Sequence, residues 1–232
     1  MKSIPLIRYF FISFFMVVMV DADLSGMQPY IPQVVNPLSE SWRWKHFPEL
    51  EGKGVRNISE GIDGKVWVAV NDGVYEYDGY SWKLFGREEE GLNDLPVNRV
   101  YAAKDGSIYA VSPRQVFMLE GESWRPLIDN PNGFVFEFDR IRELENGSLM
   151  ISSNAGVLHL NKRGQRDFYT SSIKVDELKN ASLDFNWIRV PEEVLGGNDF
   201  TIVSDILVDH NGYVWFSLII GDYGYLLKFR PS

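Results

Sequence analysis

Few residues in this chain have the type and spacing that chemistry needs. The histidines are His46, His159 and His210, and they lie far apart in sequence, whereas a metal site wants two or more ligands converging with a carboxylate or thiolate. His159 sits in an alternating strand at a position that points outward, which predicts a half-exposed strand residue. His210 precedes Asn211-Gly212, where a polar turn residue is expected. There is no cysteine, so thiolate nucleophiles, disulfides and Cys-based metal sites are excluded. Glu88-Glu89-Glu90, Glu192-Glu193 and Asp222 could supply paired carboxylates for glycosidic chemistry, but no spacing singles out an acid and a base, and such runs read as solvated loops. Asp63, Asp105, Asn146 and Asn211 are each followed by glycine. One or two oxygens per turn is too few for calcium, and tight-turn formation explains the pairs. The expectation is a chain without catalytic residues, metal or cofactor.

The elements that position these residues form a repeat. Asp63-Gly64-Lys65-Val66-Trp67, Asp105-Gly106-Ser107-Ile108-Tyr109, Asn146-Gly147-Ser148-Leu149-Met150 and Asn211-Gly212-Tyr213-Val214-Trp215 are four copies of one pattern, their glycines 42, 41 and 65 residues apart. A second apolar run follows each copy, at Val74–Tyr77, Val116–Leu119, Val157–Leu160 and Leu226–Phe229. Ser-Trp plus a cation recurs at Ser41-Trp42-Arg43, Ser81-Trp82-Lys83 and Ser123-Trp124-Arg125. Asx-Gly pairs between β-branched and aromatic runs are hairpin signals, so each unit reads as four short strands; the first unit predicts Val55–Glu60, Lys65–Val70, Val74–Asp78 and Tyr80–Phe85. Four strands in about 42 residues make a β-propeller blade, and the fold class is all-β. The blades are expected near 55–85, 97–127, 138–168 and 201–229, the last completed by a strand at 41–47. Closing the chain that way gives a small four-bladed ring; the alternative is an open partial propeller.

Positions that obey the repeat are explained by the repeat. Trp67, Trp82, Trp124 and Trp215 are expected in the blade-to-blade core rather than in a sugar-stacking site. Positions that break it are the better binding candidates, because loops at one end of a repeated scaffold collect binding residues. The strand register places Asn71, Asp72, Arg114, Asn154 and Asp222 in the turn between second and third strands. That turn opens on the same end as the interblade connections, where Trp187, from the insertion between Thr170 and Asn198, is expected to join them.

The chain has 232 residues, 45% of them hydrophobic, enough to bury a core. A net charge of -9 argues against nucleic acid. Lys2 and Arg8 precede the apolar run Tyr9–Val20, and Val20-Asp21-Ala22 suits signal peptidase, so residues 1–22 read as an export signal. The run is too short to span a bilayer, and no later segment approaches that length, which predicts a periplasmic or secreted chain with no membrane span after cleavage. Residues 23–40 are expected to be irregular and 41–232 to carry the blades.

The stretch Ile58-Ser59-Glu60-Gly61-Ile62-Asp63-Gly64-Lys65-Val66-Trp67-Val68-Ala69, with Asn71-Asp72-Gly73-Val74-Tyr75-Glu76-Tyr77-Asp78-Gly79, resembles the two-component regulator propeller repeat. The chain departs from that pattern after the tryptophan strand, where Ala69-Val70, Val111-Ser112 and Ser152-Ser153 replace the usual Gly-Thr. The resemblance implies a periplasmic sensor propeller of the kind found in bacterial hybrid two-component systems tied to polysaccharide use, here a short or truncated member without kinase or DNA-binding output. Its implied partners are a carbohydrate ligand and a membrane sensor kinase or other protein. The alternatives are a structural or protein–protein interaction propeller and, third, a propeller-fold polysaccharide lyase or hydrolase.

Overall fold

The Asx-Gly pairs are the hinges of the molecule. Gly64, Gly106, Gly147 and Gly212 adopt φ between 76° and 88°, a region that costs a side chain but not glycine. Asp63, Asp105 and Asn146 each turn a side-chain oxygen onto the backbone N–H two residues on, at 3.2, 3.0 and 2.9 Å. In the fourth copy Asp209 does this instead, accepting from Asn211 N and Tyr213 N. Each turn folds an apolar run back on its predecessor.

The computed structural model describes residues 36–86, 90–129, 137–171, 185–195, 202–220 and 223–230. Residues 1–46 and 47–232 form two separate units. The export signal at 1–22, Glu88-Glu89 and Asp222 lie outside the described residues. In the first unit, Pro37–Ser39 and Ser41–Arg43 are turns of 3-10 helix. The strand expected at 41–47 is therefore not formed, because Arg43 N and Trp44 N close on Glu40 O and Ser41 O rather than on a neighbouring strand.

The second unit is a four-bladed β-propeller whose small sheets follow one another in chain order, each packed on the one before it; among the described residues no core joins blade 4 to blade 1. Blade 1 is β1 (Asn57–Glu60), β2 (Val66–Val70), β3 (Gly73–Tyr77) and β4 (Trp82–Phe85). Blade 2 is β5 (Arg99–Ala102), β6 (Ile108–Val111), β7 (Gln115–Glu120) and β8 (Ser123–Asp129). Blade 3 comprises β9 (Phe138–Glu143), β10 (Leu149–Ser153), β11 (Gly156–Leu160) and β12 (Arg166–Thr170). The insertion adds a fifth strand to it, β13 (Asn186–Arg189), parallel to β12, and then one helical turn, Glu192–Leu195. Blade 4 has three described strands, β14 (Ile202–Val208), β15 (Val214–Ile220) and β16 (Tyr223–Phe229).

Strand alternation gives every blade two faces, and the same face meets the preceding blade each time. Trp67, Ala69, Val74 and Phe85 of blade 1 share a core with Val100, Ala110, Phe117 and Trp124 of blade 2. The opposite face of blade 2, with Val111, Val116 and Ile128, packs on Ile141, Ile151, Leu158 and Phe168 of blade 3. Met150 and Val157, from the opposite face of blade 3, then meet Ile206, Val214, Phe216 and Leu218 of blade 4. Trp67 and Trp124 are buried between blades as the repeat predicts. Trp82 packs, like Leu50, on the cluster of Val68, Val70 and Tyr75 within blade 1, and Trp215 lies on the outward face of blade 4 against Lys228, so these two do not join a blade-to-blade core. The first strands are edges whose free N–H groups need acceptors. Side chains of blade 1 supply them: Asn57 Oδ1 accepts from Val100 N at 2.8 Å and Ser59 Oγ from Ala102 N at 3.0 Å.

Candidate functional site

The turns between second and third strands lie where the sequence predicts, on the end where the linkers enter the next blade. Val97 N donates to Val70 O at 3.3 Å and Phe138 N to Pro113 O at 2.8 Å, joining linker to turn. Each described side chain predicted for this rim already has a partner. Asn71 Oδ1 accepts from Arg56 Nε at 3.0 Å, and Lys53 Nζ pairs with Asp72 Oδ2 at 2.8 Å. Arg114 grips buried Asp94 through two nitrogens, at 2.9 and 2.7 Å. Asn154 Oδ1 accepts from Glu137 N at 2.7 Å. These contacts brace the linkers against the turns.

Trp187 is not on this rim. Its place on β13 is opposite Phe168, and its ring packs 5.2 Å from Phe168 and 5.4 Å from Phe185, at the margin of the core between blades 2 and 3. Parallel pairing to β12 draws the aromatic segment Phe185-Asn186-Trp187 into that core, a pairing that local sequence periodicity does not encode.

A polar cleft opens at the other end of blade 3, where the Asx-Gly turns lie. Asn161 shapes the turn from β11 to β12 by accepting from Arg163 N and Gln165 N, both at 2.9 Å. Lys162 then reaches across to Asp105 of blade 2 at 3.3 Å. Asn161 and Lys162 line two adjoining hollows. One, of about 450 Å³, is also lined by Asn146, His159, Arg163 and Asp167. The other, of about 370 Å³, includes Asp105, Tyr109 and Arg125. Asp105 is held below the usual carboxylate range, chiefly by the Ser107 N–H and further by Lys162. Cations, amides and carboxylates thus converge on one concavity, the arrangement that fixes a polar ligand's orientation.

His159 is buried, not half-exposed as its alternation predicts. The face it occupies is the one blade 4 covers, and its cross-strand neighbour Met150 belongs to that core. Burial pushes the imidazole below its ordinary value, against an opposing pull from Asp167, whose Oδ2 lies 3.8 Å from Nδ1. Nε2 is enclosed and has no partner among the described residues. Asp167 is itself held by Gln165 Nε2 and Asn186 Nδ2, each at 2.9 Å from Oδ1. Among the described residues no three His, Asp or Glu side chains are grouped to hold a metal.

The sequence reading passed over Asn161, Lys162, Arg163 and Gln165. The signal was there: this turn is longer than its counterpart Gly121-Glu122 in blade 2, and it places two adjacent cations in a chain of net charge -9.

A scan against protein-family models gives no match, and a search of curated proteins gives none. Solved structures do match. The extracellular domain of a hybrid two component system from B. thetaiotaomicron aligns with a TM-score of 0.52 at 19% identity, over 76% of this chain and 22% of that one. A second such domain from the same organism gives 0.51 at 12% identity, over 77% and 22%. Virginiamycin B lyase from Staphylococcus aureus gives 0.53 at 14% identity, over 77% of this chain and 56% of the lyase. The chain therefore spans about a fifth of the length of the two sensor domains. The likeness is one of fold, and it includes the extracellular sensor propellers that the repeat pattern resembles. No helix among the described residues is long and apolar enough to cross a membrane.

Proposed function

We propose that this protein is an exported, non-catalytic propeller module that binds a carbohydrate in the cleft around Lys162 and reports its presence through a protein partner, such as a membrane sensor kinase. The observation that carries the reading is the convergence of Lys162, Arg163, Asn146 and Asn161 on one hollow, where the two amides shape the turns and the exposed cations stand at its edge, Lys162 within 3.3 Å of Asp105. Amides pair with sugar hydroxyls, and two adjacent cations favour a saccharide bearing a carboxylate. A binding rather than catalytic role is supported by His159, whose Nε2 is shut away from solvent and is in no position to exchange a proton with a ligand. The extracellular sensor domains with the same fold support the export and sensing parts of the reading.

The test is titration calorimetry with neutral and uronate-bearing oligosaccharides. A uronate-bearing member of the panel binds, Lys162→Ala weakens it by about tenfold or more, and Arg114→Ala leaves it unchanged. Binding lost on Arg114→Ala but kept on Lys162→Ala would move the site to the opposite rim. Release of cleaved sugar would make the protein an enzyme.

A further inference from the structure

Three blade interfaces in this chain follow one rule, and the two faces left over obey it as well. Register aligns Ile58 of β1 with Val100, Ile141 and Ile206, each opposite its partner on the second strand. The three counterparts are at most 2% exposed, because each rests on the preceding blade; Ile58 is 66% exposed. Three residues earlier, Val55 is 50% exposed, whereas Val97, at the matching place before blade 2, is fully buried against Val74.

The outward face of blade 4 shows the converse. Leu226 matches Val74, Val116 and Val157, which are at most 1% exposed beneath the next blade or its linker, yet Leu226 is 64% exposed. Leu207, on the same face, is 61% exposed. Asp205 stands where Asn57 stands in blade 1; Asn57 Oδ1 accepts from Val100 N of the following blade, whereas Asp205 Oδ1 accepts from Ile206 N of its own strand. No core cluster among the described residues joins blade 4 to blade 1.

We infer that a second copy of this chain docks here, the Val55–Ile58 face of its blade 1 lying on the Leu207–Leu226 face of blade 4, as each blade in the chain lies on the one before it. The occupant follows from the interfaces already present: what covers a face of the Val74 type, three times over, is a face of the Val100 type or the linker leading into it, and the exposed example is blade 1. Leu50 already packs on Val68, Val70 and Tyr75 of that blade, and Phe47 on Tyr77 and Trp82, so the contact centres on Val55 and Ile58. The surface is head-to-tail, and two copies satisfy it twice around a twofold axis. Eight blades lie within the range that propellers adopt.

Light scattering on the purified protein across a concentration series reads the assembly. A dimer is expected, with Ile58→Glu and Leu226→Glu each weakening association by at least about tenfold, the scale set by one large aliphatic group left unburied. Both positions are exposed, so the variants keep the wild-type circular dichroism. Mixing the two variants restores a dimer through the one intact contact, which a symmetric blade-4-to-blade-4 contact cannot do. Because the chain lacks cysteine, Val55→Cys in one copy and Leu226→Cys in another are expected to form an intermolecular disulfide. A monomer at every concentration, or a dimer indifferent to Ile58→Glu, would overturn the inference.

Discussion

Asp94 and Arg114 lock the linker before blade 2 to the turn at its far edge. The carboxylate is buried and accepts four bonds, from Arg114 N at 2.8 Å, Arg114 Nε at 2.9 Å, the terminal Arg114 nitrogen at 2.7 Å and Ser112 Oγ at 2.7 Å. Removing one member of such a pair strands the rest. Asp94→Ala is expected to lose about 3 kcal/mol in urea unfolding, while Asp94→Asn, which keeps an acceptor, loses less than half as much. Equal losses would mean that the charge, which both variants remove, sets the contact, and not the packing or the acceptor that Asn keeps.

Two glycines separate conformational cost from steric cost. Gly156 has φ +154°, and a methyl group there would lie 2.2 Å from Tyr169 O. Gly64 has φ +78° but open space around it. Gly156→Ala is expected to cost about 3 kcal/mol and Gly64→Ala about 1 kcal/mol by chemical denaturation. A reversal of that order would contradict the strand spacing between β11 and β12.

His159 makes stability depend on pH. Burial depresses its folded value below the ordinary 6.5, so the contribution is full above that value and is lost as pH falls through it, since protonation then favours the unfolded chain. The melting temperature should drop between about pH 7.5 and about pH 5.5. His159→Met, which copies Met118 at the matching place in blade 2, flattens that part of the profile. An unchanged profile would assign the drop to other groups.

The first-strand bridge offers a check on blade stacking. Asn57 and Ser59 satisfy two backbone N–H groups of β5, at 2.8 and 3.0 Å. The double variant Asn57→Ala, Ser59→Ala should lose about 2 kcal/mol and speed amide exchange at Val100 and Ala102 above the blade average. Protection that persists at both amides would show that water or backbone replaces the bridge.

The fold was legible because its signals are local. Asx-Gly turns and alternating apolar runs recur with the period of a blade, and for blade 1 the predicted strands start and end within two residues of those observed. The rim expected to bind was harder to read. Asn71, Asp72, Arg114 and Asn154 do share a rim, yet that rim is held together by Lys53, Arg56, Asp94 and Glu137, residues 15 to 20 positions earlier whose approach no local pattern announces. Trp187 was misplaced for a related reason: a parallel strand added to a blade edge is chosen by the core it covers.

The sequence alone determined four repeated sheets, hairpin turns at Gly64, Gly106, Gly147 and Gly212, and a cysteine-free acidic chain. Tertiary structure decided which polar groups converge on one concavity. It buried His159 under the next blade, opened the hollow beside Lys162, and left Ile58 and Leu226 uncovered. The physical reason is range: a turn or strand is set by its own few residues, whereas burial depends on which sheet lies on the other side.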